Sequence, residues 1–195
     1  KPWPQMEEGM RNLVERFGGV NSPFGLQIQP GVGTFEHVVP GGADSGASAD
    51  GRRCGSFIAS DLSTAPTPAD LPVSKDEIEF NTSLKGFTGQ GAEAFSDGAI
   101  SDFNISEDFD VNELVRGLNN FANGEGSNML TITVANRDTF HDAMNSPEKY
   151  DLLRVRTGGW TNFFTSVFTD NQEQHVRRPR TNDGKCPFHK QSRAD

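Results

Sequence analysis

The sequence predicts an α/β fold. Three runs have the length and apolar content of strands, at 98–105, 129–134 and 152–156. Stretches with helical spacing separate them, one from Asp110 to Phe121 and one carrying Phe140 and Met144. Strands alternating with helices mark that class. A chain of 195 residues falls in the one-domain range.

Each element has its own signal. Met6, Met10, Leu13, Val14 and Phe17 recur at helical spacing and Gly18-Gly19 follow, so an amphipathic helix with a C-terminal stop is expected. Residues 20–78 are rich in Gly, Pro, Ser and Asp. They read as short strands and ordered loops, a long helix-free stretch for an ordinary domain. Phe35-Glu36-His37-Val38-Val39 is the expected strand there, with His37 as a structural histidine. Residues 79–97 carry Phe80, Phe87 and Phe95 without a clear period. Asp110 is placed to cap the next helix, with Glu113 as its capping-box partner. Val111, Leu114, Val115, Leu118 and Phe121 form its apolar face and Gly124 ends it. Met129–Val134 is expected to be a buried strand. Asp138 caps the following helix and Pro147 closes it. Leu152–Arg156 is a strand leading into Thr157-Gly158-Gly159-Trp160. Asp170 with Glu173 caps a last helix, Pro179 stops it, and a polar tail starts at Arg180.

Composition narrows the function. Hydrophobic residues make up 33% of the chain, thin for an independent core, which suits a piece that borrows core from elsewhere. A net charge of −9 argues against nucleic-acid phosphates as partners. The basic cluster Arg177-Arg178 with Arg180 is short. No apolar run reaches the roughly 18 residues that a membrane span needs. No signal peptide is read. Cys54 and Cys186 suggest no disulfide framework. Cys54 is expected to be small and partly buried, and Cys186 a tail thiol. Cys186 with His189 is too few for a zinc site, which usually takes about four ligands. A cytoplasmic setting follows. The opening Lys1-Pro2-Trp3-Pro4 reads as the interior of a longer protein.

The most specific stretch is Leu152-Leu153-Arg154-Val155-Arg156-Thr157-Gly158-Gly159-Trp160-Thr161-Asn162-Phe163-Phe164. It resembles the radical-bearing loop of glycyl radical enzymes of the pyruvate formate-lyase kind. That pattern is an apolar strand, an Arg, two small or apolar residues, the radical glycine, an aromatic and a polar pair. Gln172, Glu173 and Arg178 fall where the family places Gln, an acid and Arg. Upstream, Gly41–Arg53 is similar to the family's G-x-x-T/S-G-A-T-P-D-G-R-K segment, with Ser48-Ala49 in place of Thr-Pro. Asp61-Leu62-Ser63 fits the loop after it. Gly98–Ile105 resembles G-A-L-L-N-L-K-F. Met129–Val134 stands for I-Q-F-N-V-V, with Thr131 and Thr133 replacing Gln and Asn. Ser146-Pro147-Glu148-Lys149-Tyr150 matches H-P-E-K-Y.

The resemblance implies a function. Gly159 would store the radical, because a glycine Cα that has lost a hydrogen can lie flat and share its electron with the flanking amide and carbonyl. A side chain would crowd that centre. Gly158 would permit the turn. Arg156 and Trp160 would position the loop, Arg156 through hydrogen bonds and Trp160 through packing. Thr161 and Asn162 would bond the loop backbone, and Gln172 would anchor it. The resemblance also implies a ten-stranded α/β barrel of two five-stranded half-barrels with a glycine finger loop, and this chain as its C-terminal part. Residues 1–128 would then belong to the barrel, 129–179 to the glycyl radical domain and 180–195 to the tail.

Neither cysteine stands where the family's thiyl cysteine stands. That residue is expected on a missing or partner part, a larger chain. The further expected partners are a small-molecule substrate and a radical S-adenosylmethionine activating enzyme. The iron–sulfur cluster and S-adenosylmethionine belong to that activator, with no metal in this chain. Lyase or decarboxylase chemistry, oxygen-sensitive and anaerobic, is expected of the whole. Two alternatives stand beside this reading. One is a stand-alone spare part that repairs an oxygen-damaged lyase. The other is a non-catalytic assembly module.

Overall fold

The computed structural model describes residues 3–18, 20, 22–49, 51–73, 78–88, 95–123 and 127–182. The expectations for Gly19, Gly124, Cys186, His189 and the tail past Asn182 fall outside them, as do the side chains of Met6, Met10 and Phe87.

A parallel sheet is built around one polar-studded strand, β3 (Gly98–Ile105). β4 (Met129–Val134) runs along one edge in register from Ile100↔Met129 to Ile105↔Val134. β1 (Gly31–Val32) pairs with the start of β3, and β7 (Arg180–Asn182) with its end. β2 (Ile78–Glu79) lies outside β7. β5 (Arg154–Thr157) and β6 (Trp160–Phe163) form a separate antiparallel hairpin.

Period-two alternation gives β3 and β4 two different faces. Phe103, Leu130 and Ile132 turn to one side. There they pack with Phe80 and Leu84 of α3 (Phe80–Thr88) and with Leu114 and Phe121 of α4 (Val111–Asn123). The other face presents Ile100, Asp102 and Asn104 from β3 and Met129, Thr131 and Thr133 from β4. It carries the hairpin rather than solvent, so Asp102, Asn104, Thr131 and Thr133 are buried. A second core of Phe140, Val155, Phe164 and Val176 lies where the hairpin meets α5 (Arg137–Asn145) and α6 (Thr169–Arg177).

Several expectations are corrected. Phe35–Val39 is no strand. Phe35 takes a φ of +46°, which breaks extended pairing, and Phe35–His37 forms a 3₁₀ turn into α2 (Val38–Ala43). Pro40 sits in the first turn of α2, where its missing N–H has no acceptor to lose. His37 is exposed and its ring lies against Gly41. Residues 79–97 hide helix α3. Its Phe80–Leu84 spacing is helical, and the Glu79 carboxylate caps it by accepting from the Asn81 and Thr82 amides at 3.0 and 2.6 Å.

Asp110 does cap α4, accepting from the Asn112 and Glu113 amides. Glu113 pairs with Arg116. The cap positions of α5 and α6 belong to Asn136 and Phe168, while Asp138 and Asp170 stand in the first turns, where a carboxylate still suits the helix dipole. β4 is buried only at its centre, and Met129 and Val134 are exposed. Cys54 is exposed. The tail does not begin at Arg180. That residue opens β7, and its buried guanidinium donates to the Ile105 carbonyl at 2.7 Å and to the Ala135 carbonyl, satisfying the ends of β3 and β4.

α2 is fitted to its neighbour without slack. A Cβ on Gly42 would meet the Ser56 carbonyl oxygen and stand 3.0 Å from the Phe57 Cα, both backbone. Gly42→Ala is expected to lower stability by about 1–3 kcal/mol, read from urea unfolding midpoints. An unchanged midpoint would mean that the 56–57 segment yields.

Candidate functional site: a glycine hairpin on a buried polar seat

Thr157 pairs with Trp160 across the turn, so Gly158 and Gly159 are its two central residues. Both have positive φ, +54° and +84°. A two-residue hairpin turn with the twist of its strands requires this, and glycine accepts it without a steric penalty. Space enforces the same choice. A Cβ on Gly158 would come within 3.0 Å of the Phe35 Cα, and one on Gly159 within 2.9 Å of the Met129 sulfur. Gly158 is buried and Gly159 half-buried.

Arg156 holds the turn from inside the hairpin. Its Nη2 donates to the Gly159 carbonyl at 2.5 Å and its Nη1 to the Thr161 hydroxyl. Trp160 is 64% exposed and meets the Phe35 ring edge-on at 6.4 Å. A cavity of about 380 Å³ opens beside it, lined by Phe35, Glu36, Thr157, Trp160 and Asn162. Arg156, Gly158, Gly159, Trp160, Thr161 and Asn162 are thus one unit. Gln172 is apart from the turn. From α6 its Nε2 donates to the Phe164 carbonyl at 2.9 Å, at the far end of the hairpin.

The seat below was not assigned from sequence. Asp102 accepts from the Gly158 amide at 3.2 Å, from the Ser60 hydroxyl at 2.9 Å and from the Thr131 hydroxyl. Arg178 Nη2 lies 3.5 Å from the same carboxylate, an ion-pair distance without hydrogen-bond alignment. Arg178 Nη1 donates to the Arg156 carbonyl at 3.1 Å. Thr133 accepts from the Arg156 amide at 3.0 Å. Asp61, at a strained φ of +54°, accepts from the Thr34 amide at 2.6 Å and from the Thr34 hydroxyl at 3.1 Å. The available signal was polar alternation in β3 and in β4, a strand expected to be buried, whose polar face therefore needed a cover.

Burial shapes the charges. It pushes the Asp61 carboxyl up, with the nearby Asp102 charge adding and the Thr34 bonds opposing. It lowers Arg178, against which the Asp102 and Asp61 carboxylates work. His175 is 2% exposed. Burial, then the Arg178 charge, holds its pKa well below 6.5, so its ring is neutral. His175 Nε2 is hydrogen-bonded to the Thr157 hydroxyl at 3.2 Å.

A depressed folded-state pKa means that the unfolded chain binds the extra proton first. The His175 contribution is therefore complete above about pH 6.5 and lost as pH falls below it, at no more than about 1.4 kcal/mol per pH unit. Asp61 acts in the opposite sense at lower pH, above its ordinary 3.8. Replacing His175→Gln is expected to flatten the stability–pH curve between pH 6.5 and 5. Parallel curves for the two proteins would refute the assignment.

Among the described residues no group of three or more His, Cys, Asp or Glu could hold a metal ion. No described helix is long and apolar enough to cross a membrane.

Comparison with known proteins follows the same hairpin. Residues 98–165 match a family profile described as "Glycine radical". Formate acetyltransferase 1 of Escherichia coli is 37% identical over 57 residues, 29% of this chain and 8% of that protein. A structure concerning 1,2-propanediol dehydration in Roseburia inulinivorans superimposes with a TM-score of 0.76 at 22% identity, covering 90% of this chain and 20% of that one. The B12-independent glycerol dehydratase of Clostridium butyricum gives 0.77 at 20% identity, with 90% and 22% covered. At such identities the structures establish shared fold alone. The chain spans about a fifth of their length and under a tenth of the curated relative's. The profile match covers β3, β4 and the hairpin, the elements that form and seat the turn, and over residues 98–165 this chain carries the glycine radical region of the glycyl radical family, pyruvate formate-lyase-like.

Proposed function

We propose that this chain is the radical-storing part of a larger glycyl radical enzyme, with the unpaired electron kept on Gly159. The observation that carries this is the Arg156 guanidinium on the Gly159 carbonyl at 2.5 Å, inside the matched hairpin. Loss of one α-hydrogen leaves an electron shared between the Gly159 amide nitrogen and carbonyl. A cation on that carbonyl oxygen favours the electron-accepting side. Arg156, Thr161 and Trp160 support the turn, Asn162 lines the cavity beside it, and Gln172 anchors the hairpin's far end.

The stored radical would act through a cysteine of another part, a larger chain. Its S–H hydrogen passes to the Gly159 Cα, the thiyl so formed takes a hydrogen from a small organic substrate, and both transfers reverse after the chemistry. A radical S-adenosylmethionine enzyme would remove the first hydrogen. Lyase or decarboxylase chemistry in an anaerobic cytoplasm goes with that sequence. Residues 1–128 would continue a ten-stranded barrel, and 129–179 would form the glycine-bearing unit. Exposed apolar side chains support a larger body. Val111, Val115 and Leu118 on α4 are exposed, as are Leu152, Phe163 and Phe168.

The test is electron paramagnetic resonance on the full-length protein after anaerobic activation. One remaining α-hydrogen should split the signal into a doublet. Growth on α-deuterated glycine should collapse it to a singlet. A signal absent under every activation condition would favour the assembly-module alternative.

A further inference from the structure

Asp102 receives hydrogen-bond donors from three separate parts of the chain and an ion-pair partner from a fourth. Gly158 N–H comes from the turn, Ser60 from the loop before Asp61, Thr131 from β4 and Arg178 from the end of α6. A carboxylate is acceptor only, with about four lone-pair sites, and here three donors and the Arg178 guanidinium beside it take up its surroundings. Asp102 is 5% exposed and Arg178 3%, and neither charge has water to replace the other.

What the pair holds is specific. β5 and β6 pair with each other, and the hairpin is a sheet apart from the five-stranded one. Its placement over β3 and β4 therefore depends on side chains. Thr133 takes the Arg156 amide, Arg178 takes the Arg156 carbonyl and Asp102 takes the Gly158 amide. Of these, only the Asp102 bond acts on the turn itself, one peptide before Gly159.

The geometry points to Asp102 as a positioning residue that fixes the Gly158 peptide, and through it the place of the Gly159 Cα, with Arg178 as its counter-ion. The consequence for radical storage rests on the reading of Gly159 given above. The clamp does not. A pair that merely stabilised the fold would protect the whole sheet, whereas a positioning carboxylate protects one amide selectively. Asparagine should replace it in part. Its carboxamide oxygen can accept from Gly158 and Ser60, while its NH₂ faces the Thr131 hydroxyl, which can turn to accept.

The experiment is residue-resolved amide hydrogen exchange on the full-length protein, comparing Gly158 with Phe103 and Ile132 of the central strands. Asp102→Ala is expected to speed Gly158 exchange about tenfold or more with the central amides unchanged, and Asp102→Asn to stay within about threefold of the parent. Gly158 exchange unchanged in Asp102→Ala, or rising only in step with the central amides, overturns the inference. So does an Asp102→Asn protein that behaves like Asp102→Ala. If Asp102→Ala fails to fold, the double variant Asp102→Leu with Arg178→Met, which removes both buried charges, is read by the same criterion. Failure of that variant to fold also overturns the inference, since the pair then serves the fold as a whole. A missing radical signal in the parent would count against Gly159 and leave this measurement intact.

Discussion

On the proposed reading of Gly159, Gly159→Ala is expected to abolish the radical signal, and with it turnover of the full-length protein, while leaving a folded protein. The chemical loss is complete because alanine's methyl group crowds the planar centre that storage needs. The structural cost is limited. An alanine at a φ of +84° costs about 1–2 kcal/mol. Its Cβ would meet the Met129 sulfur, the far end of a flexible side chain on an exposed strand edge, which can move. Gly158→Ala should behave differently. There the Cβ meets the Phe35 backbone, its Cα at 3.0 Å and its nitrogen at 3.2 Å, and neither can swing away. The first variant should keep its unfolding midpoint within a small shift and lose the doublet. The second should lose stability first. A doublet persisting in Gly159→Ala would move the radical elsewhere.

The largest loss of stability is expected at Phe164. Its side chain is fully buried, its ring centroid lies 4.8 Å from that of Phe140, and Val155 and Val176 share the same core. Its backbone is tied as well, donating to the Leu153 carbonyl at 2.8 Å and accepting from Gln172 at 2.9 Å. Phe164→Ala removes the ring that joins the hairpin's exit to α5 and α6, and should cost about 3–5 kcal/mol. Phe164→Leu keeps most of the volume and should cost about 1.5 kcal/mol or less. Denaturant unfolding of both variants checks the order. A cost below about 1 kcal/mol for the alanine variant would mean that the site collapses around the gap.

What could be read in advance follows from how local each signal is. β3, α4 and the strand into the turn were legible because their periodicities are long and their stops sharp. The hairpin glycines were legible from the register of the residues around them, Arg156 before and the aromatic and polar pair after, since a Gly-Gly pair alone marks only a turn. α3 was not, since Phe80, Leu84 and Phe87 do fall at helical spacing but span only about two turns, among polar residues and with Gly86 between them. α2 was missed because Val38-Val39 favours strand, and close packing of Gly42 on Ser56 and Phe57 overrides that preference. The seat was missed for a different reason. Asp102, Thr131 and Thr133 alternate with apolar neighbours, and alternation alone does not say what covers their face. Only the hairpin arriving from residues 154–163 makes that row an interior. Arg178 had been noted by its offset from the glycine, but its partner on β3 lies far away in sequence.

The place of β7 has a consequence for biosynthesis. Asn104 on the central strand pairs with Arg180, and Ile78 pairs with Thr181. These contacts join early segments to a strand made near the end of the described chain, the kind of non-local closure that slows folding. A ribosome would have released the glycine turn, and most of what surrounds it, before the strand that completes the sheet emerged. Until then the Ile105 and Ala135 carbonyls lack the Arg180 guanidinium that caps them, and the edge of β3 stays open. A nascent chain arrested just before Arg180 should be more easily cut by protease than one arrested after this strand has cleared the exit tunnel.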